Sequence, residues 1–148
     1  MGFDHAGLKL KEELKKHLEE KNVQYTDFGT YGTEPVDYVM FAVKVGDAVA
    51  SGECDKGILI CGTGIGMSIA ANKIKGIRAA CCSDEYSAKL TREHNDSNIL
   101  CFGSRVIDSQ QAKKLVDIFL NTEFCGEQRH IRRIEQIKDI ENGKFVKF

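Results

Sequence analysis

The chain has 148 residues and a formal net charge of −1, with 42% hydrophobic and 29% charged residues. This length fits one domain with its own core, so we expect a single domain over residues 1–148. The near-zero net charge argues against a nucleic-acid or membrane-surface partner. No apolar run approaches the roughly 20 residues of a transmembrane helix, and no signal peptide precedes the first predicted helix.

Apolar spacing predicts helices and strands that alternate along the chain. Helices are predicted over about 8–21, from near Pro35 to Gly52, from Met67 to Gly76, over 85–93 with Ser83 or Asp84 as the cap, and over 109–120. Strands are predicted over 23–28, 58–60, 77–82 and 98–102, with a short one before Asp4. The alternation predicts an α/β fold built from parallel βαβ units. We expect a three-layer, Rossmann-like open sheet of about five parallel strands with helices on both faces.

Cysteine usage indicates a reducing compartment. None of the six cysteines has the paired C-x-x-C spacing of a zinc site, and several lie in apolar runs typical of buried strands. We therefore expect free thiols, a cytoplasmic location and no metal site. Cys81, Cys82 and Cys101 are predicted to lie in the core, and Cys54 and Cys125 to have no special role.

The stretch 57–72 carries the strongest functional signal. The apolar run 58–60 predicts a buried strand, Cys61 to Gly66 form a glycine-rich turn, and helical spacing begins at Met67. This order directs free backbone N–H groups at one point beyond the strand, and such a point attracts an anion. The same field stabilises a thiolate, which makes Cys61 a candidate reactive residue. A structural turn with a buried, inert cysteine is the alternative.

Common phosphate-binding motifs do not fit this turn. A P-loop needs a Gly-Lys-Ser/Thr sequence that is not present here, and the dinucleotide fingerprint fails because Met67 stands where that pattern requires another residue. A thiol phosphatase needs an arginine just after the loop, where Met67 and Ser68 stand. A non-catalytic module that binds a nucleotide or phosphate through the glycine turn remains an alternative.

Several polar residues are expected near the carboxyl ends of the strands, where open parallel sheets bind their ligands. They are Asp4, His5, Cys61, Thr63, His94, Asn95 and Arg105. We expect them to converge around the glycine-rich turn, which would bring a cysteine, two histidines, a carboxylate and an arginine to one anion-binding loop.

The segment from about 122 to 148 is predicted to carry a further helix. Arg129 and Arg133 are four residues apart and therefore share one side of it. A solvated basic face is one interpretation, because charged side chains are usually exposed. The other is a segment exchanged in a dimer, whose helix packs on a partner subunit and carries both arginines to a phosphate.

Short motifs spread over nearly the whole chain carry a resemblance. They are Asp4-His5-Ala6-Gly7, Asp27-Phe28-Gly29-Thr30, Val36-Asp37-Tyr38, Gly57 to Asn72, Gly76-Ile77-Arg78-Ala79-Ala80, Arg92-Glu93-His94-Asn95-Asp96, Gly103-Ser104-Arg105, and Arg129-His130 with Arg133. Together they resemble the type B ribose-5-phosphate isomerases, in a family that also includes galactose-6-phosphate isomerase subunits. The resemblance implies an intramolecular oxidoreductase of the pentose phosphate pathway, without metal or organic cofactor. Its implied reaction interconverts ribose 5-phosphate and ribulose 5-phosphate by ring opening and a cis-enediolate proton transfer.

The resemblance also implies which residues act on the sugar. Cys61 is the implied base that moves a proton between C2 and C1. Thr63 and the loop N–H groups would stabilise the oxyanion that develops, the loop glycines being Gly62, Gly64 and Gly66. His94 is expected to open the furanose ring together with Asp4. Sugar hydroxyls are expected to contact Asn95 and Tyr38.

The phosphate is implied to bind one histidine and several arginines, some of them from a neighbouring subunit. The matching residues are His5, Arg105, Arg129 and Arg133. A composite site of this kind would exist only in a homodimer, or in a tetramer built from dimers.

Three features depart from the family pattern. Three residues precede Asp4, whereas a strand usually has about 5–6. Val39 replaces a proline, and one additional residue precedes Arg129. The nearest alternative within enzymes is an isomerase of a six-carbon sugar phosphate, either galactose 6-phosphate or allose 6-phosphate.

Overall fold

A computed structural model describes residues 1–30, 32 and 34–144 of the chain. The strands are β1 (Gly2–Phe3), β2 (Gly57–Cys61), β3 (Ala79–Cys81) and β4 (Ile99–Gly103). The helices are α1 (Leu8–Glu20), α2 (Tyr38–Ala50), α3 (Ile65–Ala71), α4 (Glu85–Asn95), α5 (Ser109–Asn121) and α6 (Gln128–Glu141). Tyr31 and the last four residues of the predicted exchange segment lie outside the described residues. Within the described part of the chain, no helix is long and apolar enough to cross a membrane.

The described strands form one parallel sheet in the order β1-β2-β4-β3. The α/β class is confirmed, but the expected number of about five strands is slightly too high. The segment 23–28, predicted as a strand, has no strand assignment. Three main-chain hydrogen bonds join residues 26–30 to residues 1–3: from the Met1 amino group to Thr26 O (2.6 Å), from Phe28 N–H to Met1 O (2.8 Å) and from Thr30 N–H to Phe3 O (3.4 Å). Because β1 has only two residues, it offers too short an edge for a longer ladder.

Helices cover both faces of the sheet, which confirms the three-layer arrangement. Neighbouring residues of a strand point to opposite faces, so Ile58 and Ile60 pack with α1 and α5. Leu59 and Cys61 instead pack with α2 and α3 on the other face. All five residues of β2 are buried, as the apolar run predicted. The side chain of Cys61 therefore lies on the α2–α3 face, at the carboxyl end of a central strand.

Local chemistry sets several helix boundaries. The Asp84 carboxylate accepts a hydrogen bond from the Ser87 N–H and caps α4, so of the two predicted caps, Ser83 and Asp84, the structure selects Asp84. The helix predicted to reach Gly76 ends earlier, at Ala71, and Gly76 instead adopts a left-handed conformation with φ +85°. Strand β3 is likewise shorter than the predicted 77–82.

A buried ion pair fixes the segment that follows α1. Lys11 is fully buried, and its ammonium lies 2.8 Å from a carboxylate oxygen of Asp27. The same ammonium donates to the carbonyl of Thr30, at 3.1 Å. Burial raises the pKa of Asp27, but hydrogen bonds from Lys11 and from the Gly29 N–H outweigh it and leave that pKa below its usual value. The ion pair thus holds the 27–30 turn against the start of the sheet.

Candidate active site

One set of predicted site residues gathers at the carboxyl edge of the sheet. We call it the carboxyl-edge group; its members are Asp4, His5, Tyr38, Cys61, Gly62, Thr63, Gly64, Gly66 and Arg105. Asp4 and His5 follow β1, the Cys61 turn follows β2, and Arg105 follows β4. Parallel strands bring these points to one edge, so this part of the predicted convergence is observed.

The Cys61 thiol lies directly under the glycine-rich turn. The residue is 5% exposed, and its sulfur accepts a hydrogen bond from the Gly64 N–H at 3.1 Å. Gly64 has a φ of +80°, and a Cβ there would lie 2.7 Å from the backbone of Phe102. Only glycine fits this close approach, which aims the 64 N–H at the sulfur. The dipole of this N–H is therefore directed at the sulfur, at the carboxyl end of a buried strand.

The start of α3 offers further N–H groups beside this thiol. The N-cap of α3 is Gly64, which has no side chain to accept from the N–H groups of the first turn. The Thr63 hydroxyl is close by and accepts a long hydrogen bond from the Ile65 N–H, at 3.4 Å. Thr63 itself is exposed. The turn thus presents donors to the solvent side of a buried sulfur.

Two larger side chains flank the turn. A Cβ on Gly66 would lie 2.6 Å from the Tyr38 ring, so this ring rests directly against the glycine. A Cβ on Gly62 would lie 3.6 Å from a guanidinium nitrogen of Arg105. Arg105 therefore places its charge next to the turn, where it can meet an anion. Both contacts place predicted binding residues beside Cys61.

Asp4 and His5 are held by local hydrogen bonds. The Asp4 carboxylate accepts from the Ala6 N–H (2.9 Å), so it caps the short 3₁₀ turn that follows β1. Nδ1 of His5 accepts from the Val36 N–H at 3.3 Å, which puts the proton of a neutral ring on Nε2. The two-residue β1 still pairs in register with Leu59 and Ile60. The shortened first strand therefore leaves both side chains at the carboxyl edge.

Ser104 contributes to this edge, although it had no predicted role of its own. Its hydroxyl donates to the carbonyls of Ala6 (2.8 Å) and Cys61 (3.2 Å). It thereby connects the 3₁₀ turn to the end of β2. The sequence signal was its place in the Gly103-Ser104-Arg105 motif, just after a strand end.

The second set lies at the opposite edge of the sheet. We call it the histidine-edge group; it comprises His94, Asn95, His130, Arg129 and Arg133, from the end of α4 and from α6. The expectation that His94 and Asn95 join Cys61 at the carboxyl edge within one chain is wrong. They precede β4, and the 11 residues of α4 carry the chain roughly 16 Å back toward the amino edge. There the Asn95 carbonyl accepts from Arg78 Nε, at 2.9 Å, just ahead of β3.

A parallel ring stack joins α4 to α6. The rings of His94 and His130 have centroids 4.2 Å apart and planes inclined by 7°. His130 is 4% exposed, and burial together with neighbouring His94 and Arg129 lowers its pKa below 6.5. Sequence reasoning gave His130 no role, because only the fold shows which ring it touches. Arg129, by contrast, is exposed and pairs with Glu127 at 2.8 Å.

The remaining cysteines differ from Cys61 in their surroundings. Burial raises the pKa of Cys82 to about 11 and that of Cys101 well above its usual value, so both stay thiols in the core. Cys81 is exposed, so its predicted place in the core is wrong. Strand β3 lies at the sheet edge, and the Cys81 thiol contacts the carbonyl of Thr63 at 3.7 Å. All six cysteines are free.

Fold and site together define an α/β domain with a buried cysteine beneath a glycine-rich turn. The family profile described as Ribose/Galactose Isomerase matches residues 1–137. The chain is 53% identical to ribose-5-phosphate isomerase B of Escherichia coli, over 97% of this chain and 95% of that protein. The chain therefore belongs to the ribose/galactose isomerase family.

Solved structures agree with this assignment. The ribose-5-phosphate isomerase B of Clostridium thermocellum superposes with a TM-score of 0.93 at 51% identity, covering 96% of this chain and 95% of that one. The Mycoplasma genitalium enzyme, solved with bound ribulose-5-phosphate, gives a TM-score of 0.90 at 42% identity, covering 95% and 93%. The α/β fold, the isomerase class and the resemblance stated from sequence motifs are confirmed.

Proposed function

We propose that this chain interconverts D-ribose 5-phosphate and D-ribulose 5-phosphate, with Cys61 as the base. The observation that carries the assignment of the base is the Gly64 N–H directed at the Cys61 sulfur, 3.1 Å away, at the mouth of the turn. Membership of the ribose/galactose isomerase family supplies the reaction class. The ribulose-5-phosphate bound to the Mycoplasma genitalium relative supports the five-carbon substrate.

The proton transfer follows from the chemistry of this edge. The Cys61 thiolate removes the proton from C2 of the open-chain aldose, and the electron pair flows into the C1 carbonyl to give a cis-enediolate. Return of the proton to C1, with transfer of the O2 proton to the negative O1, gives the ketose. N–H groups of the turn and the Thr63 hydroxyl stabilise the negative oxygen during this step. General base catalysis of this kind contributes about 10²–10⁴ in rate.

The complete site is proposed to form between two chains. Cys61 and His94 lie at opposite edges of one sheet, so they can serve the same sugar only if a second copy brings its histidine-edge group to the first copy's carboxyl edge. A twofold dimer would create two such sites. Exposed apolar side chains offer a surface for this association; they include Met40, Ile65, Ile69, Ile137 and Ile140. Within its own chain, α6 buries only His130 and Ile134.

In such a dimer each edge supplies part of the sugar-phosphate contacts. His94 of one chain and Asp4 of the other would open the furanose ring by moving a proton between the ring oxygen and the anomeric hydroxyl. Tyr38 and Asn95 would bind sugar hydroxyls from the two sides. The phosphate would meet four cationic or hydrogen-bonding side chains, namely His5, Arg105, Arg129 and Arg133.

We place the enzyme in the cytoplasm. Six free thiols support this location, because oxidising compartments convert exposed cysteine pairs to disulfides.

The decisive experiment measures steady-state isomerisation of ribose 5-phosphate beside allose and galactose 6-phosphates. Wild type is compared with Cys61→Ala and with Cys81→Ser, a matched change at an exposed cysteine. Turnover of ribose 5-phosphate that falls by about 10²–10⁴ only in Cys61→Ala supports the proposal. Near-normal turnover in Cys61→Ala would remove Cys61 as the base.

The alternative to ribose 5-phosphate is a six-carbon sugar phosphate, because the family includes galactose isomerases. Higher kcat/KM for allose or galactose 6-phosphate would keep the chemistry and change the substrate. A folded protein that bound a nucleotide without turning over any sugar phosphate would support the non-catalytic module.

A further inference from the structure

A second cluster of potential ligands lies at the junction of α4 and α6, outside the proposed reaction chemistry. The thiol of Cys125, the carboxylate of Glu127 and an imidazole nitrogen of His130 all lie within 4.8 Å of one another. We propose that these three side chains bind a single Zn²⁺ ion. The spacing C-x-E-x-x-H differs from the paired-cysteine patterns, so it is not recognised as a zinc motif from sequence.

The chemistry of the three ligand atoms, from a thiol, a carboxylate and an imidazole, indicates which metal ion would bind. Thiolate and imidazole are borderline-soft ligands that favour Zn²⁺, whereas Mg²⁺ and Ca²⁺ prefer oxygen ligands. Thiolate and carboxylate together carry two negative charges, which neutralise one divalent cation. Three protein ligands leave a fourth tetrahedral position for water. On binding, the Cys125 thiol loses its proton to solvent as its sulfur bonds to the metal.

A buried, unpartnered imidazole supports the site independently. His130 is more than nine-tenths buried, yet within the described residues its Nε2 has no hydrogen-bond partner. A buried polar atom without a partner destabilises the fold, and coordination to a metal ion removes that cost. The stacked His94 ring covers one face of His130 and leaves the ring edge to meet a ligand. The orphaned nitrogen thus indicates that the ring is completed by a ligand.

The backbone holds the three ligands in place. The Cys125 N–H donates to the Glu93 carbonyl (3.1 Å), which fixes the approach to α6 against α4. Glu127 is the N-cap residue of α6, and its carbonyl accepts from the His130 N–H (2.9 Å). Because the ligands span only six residues, little chain entropy is lost when they close on an ion. The thiol and carboxylate are both exposed, so they can move the remaining distance to coordination lengths of about 2.0–2.3 Å.

One existing contact competes with the metal. Arg129 Nε lies 2.8 Å from a Glu127 oxygen, but both side chains are more than half exposed. Exposed ion pairs of this type contribute little to stability, far less than zinc coordination does. Glu127 can therefore turn to the ion, or use its other oxygen, at small cost.

The test is a zinc titration of the metal-free, full-length protein against a chromophoric chelator. We expect one Zn²⁺ per chain in wild type. Cys125→Ser should weaken binding by at least about tenfold and Glu127→Gln by a smaller factor, since both change a direct ligand. Cys81→Ser, which alters the other well-exposed cysteine outside the cluster, is the matched control and should bind as wild type does. Cys125 and Glu127 are exposed, so neither variant threatens the fold.

Cobalt gives a readout that identifies the thiolate. Co²⁺ in the wild-type site should produce a near-ultraviolet band from sulfur-to-metal charge transfer, and Cys125→Ser should abolish it. The proposal is overturned if wild type binds no Zn²⁺, or if Cys125→Ser retains wild-type zinc affinity and the cobalt band. The second result would assign the ion to another cysteine. Neither measurement depends on isomerase activity.

Discussion

His94 and His130 stack with ring centroids 4.2 Å apart and planes only 7° from parallel. Two imidazolium rings at this separation repel each other, and burial of His130 adds to the cost of protonation. The lowered pKa of His130 follows, first from burial and then from His94. Protonation of His130 on α6 therefore weakens its stacking on His94 of α4.

This relationship predicts a pH-dependent stability. The unfolded chain binds a proton to this histidine near pH 6.5, whereas the folded chain binds it only at lower pH. The stability is therefore fully present above pH 6.5 and is lost as the pH falls from there through the lowered pKa. Urea unfolding at pH 7.5 and 5.5 should show a smaller loss for His130→Phe, which keeps an aromatic ring, than for wild type.

An NMR titration of His130 in the wild-type protein checks the same point without a substitution. Its midpoint should lie below 6.5. A midpoint at or above that value, or equal pH dependence in wild type and His130→Phe, would contradict the prediction.

Subunit complementation tests the composite site. Cys61→Ala and His94→Ala should each be nearly inactive alone. When the two are unfolded, mixed in equal amounts and refolded, half of the dimers combine both chains, and each of these has one intact site. The expected recovery is about a quarter of wild-type turnover for random twofold pairing.

A mixture of Cys61→Ala with Asp4→Asn is the control for complementation. Both residues belong to the carboxyl-edge group, so every site in the mixed dimer keeps one defect. No recovery is expected. Equal recovery in both mixtures, or none in the first, would contradict a site shared in this way.

Arg133 provides a test of phosphate binding. Its contact with a phosphate would stabilise the bound substrate and the transition state alike, so Arg133→Ala should raise KM more than it lowers kcat. Lys138 is also exposed and cationic and lies on the opposite side of α6 from Arg129, so Lys138→Ala is the matched control. An unchanged KM in Arg133→Ala would remove this residue from the phosphate site.

The Lys11–Asp27 pair predicts an asymmetric effect on stability. Asp27→Asn leaves the fully buried Lys11 ammonium without its carboxylate, which should lower the free energy of unfolding by about 3–5 kcal/mol. The double change Lys11→Met with Asp27→Asn removes the buried charge and should be less destabilising than Asp27→Asn alone. Urea unfolding at neutral pH measures both. A free energy of unfolding that is lower for the double variant than for Asp27→Asn would contradict this account.

The sequence by itself determined the features that depend on neighbouring residues. Apolar runs and helical spacing predicted the α/β alternation, the buried β2 and a cap at Ser83 or Asp84, because strands, helices and caps form from local patterns. The order of strand, glycines and helix also predicted the turn that joins β2 to α3 at Cys61. The motifs gave the family, since they match over nearly the whole chain.

Only the tertiary structure decided which residues meet. His94 and Asn95 lie at the amino edge of the sheet and not at the predicted carboxyl edge, because a helix after a parallel strand returns the chain to the other end of the sheet. The tertiary structure exposed Cys81 on the edge strand and buried Lys11 against Asp27. It also brought Cys125, Glu127 and His130 together at the junction of α4 and α6. Contacts between distant segments depend on how elements pack, and no local pattern of apolar or polar residues records that packing.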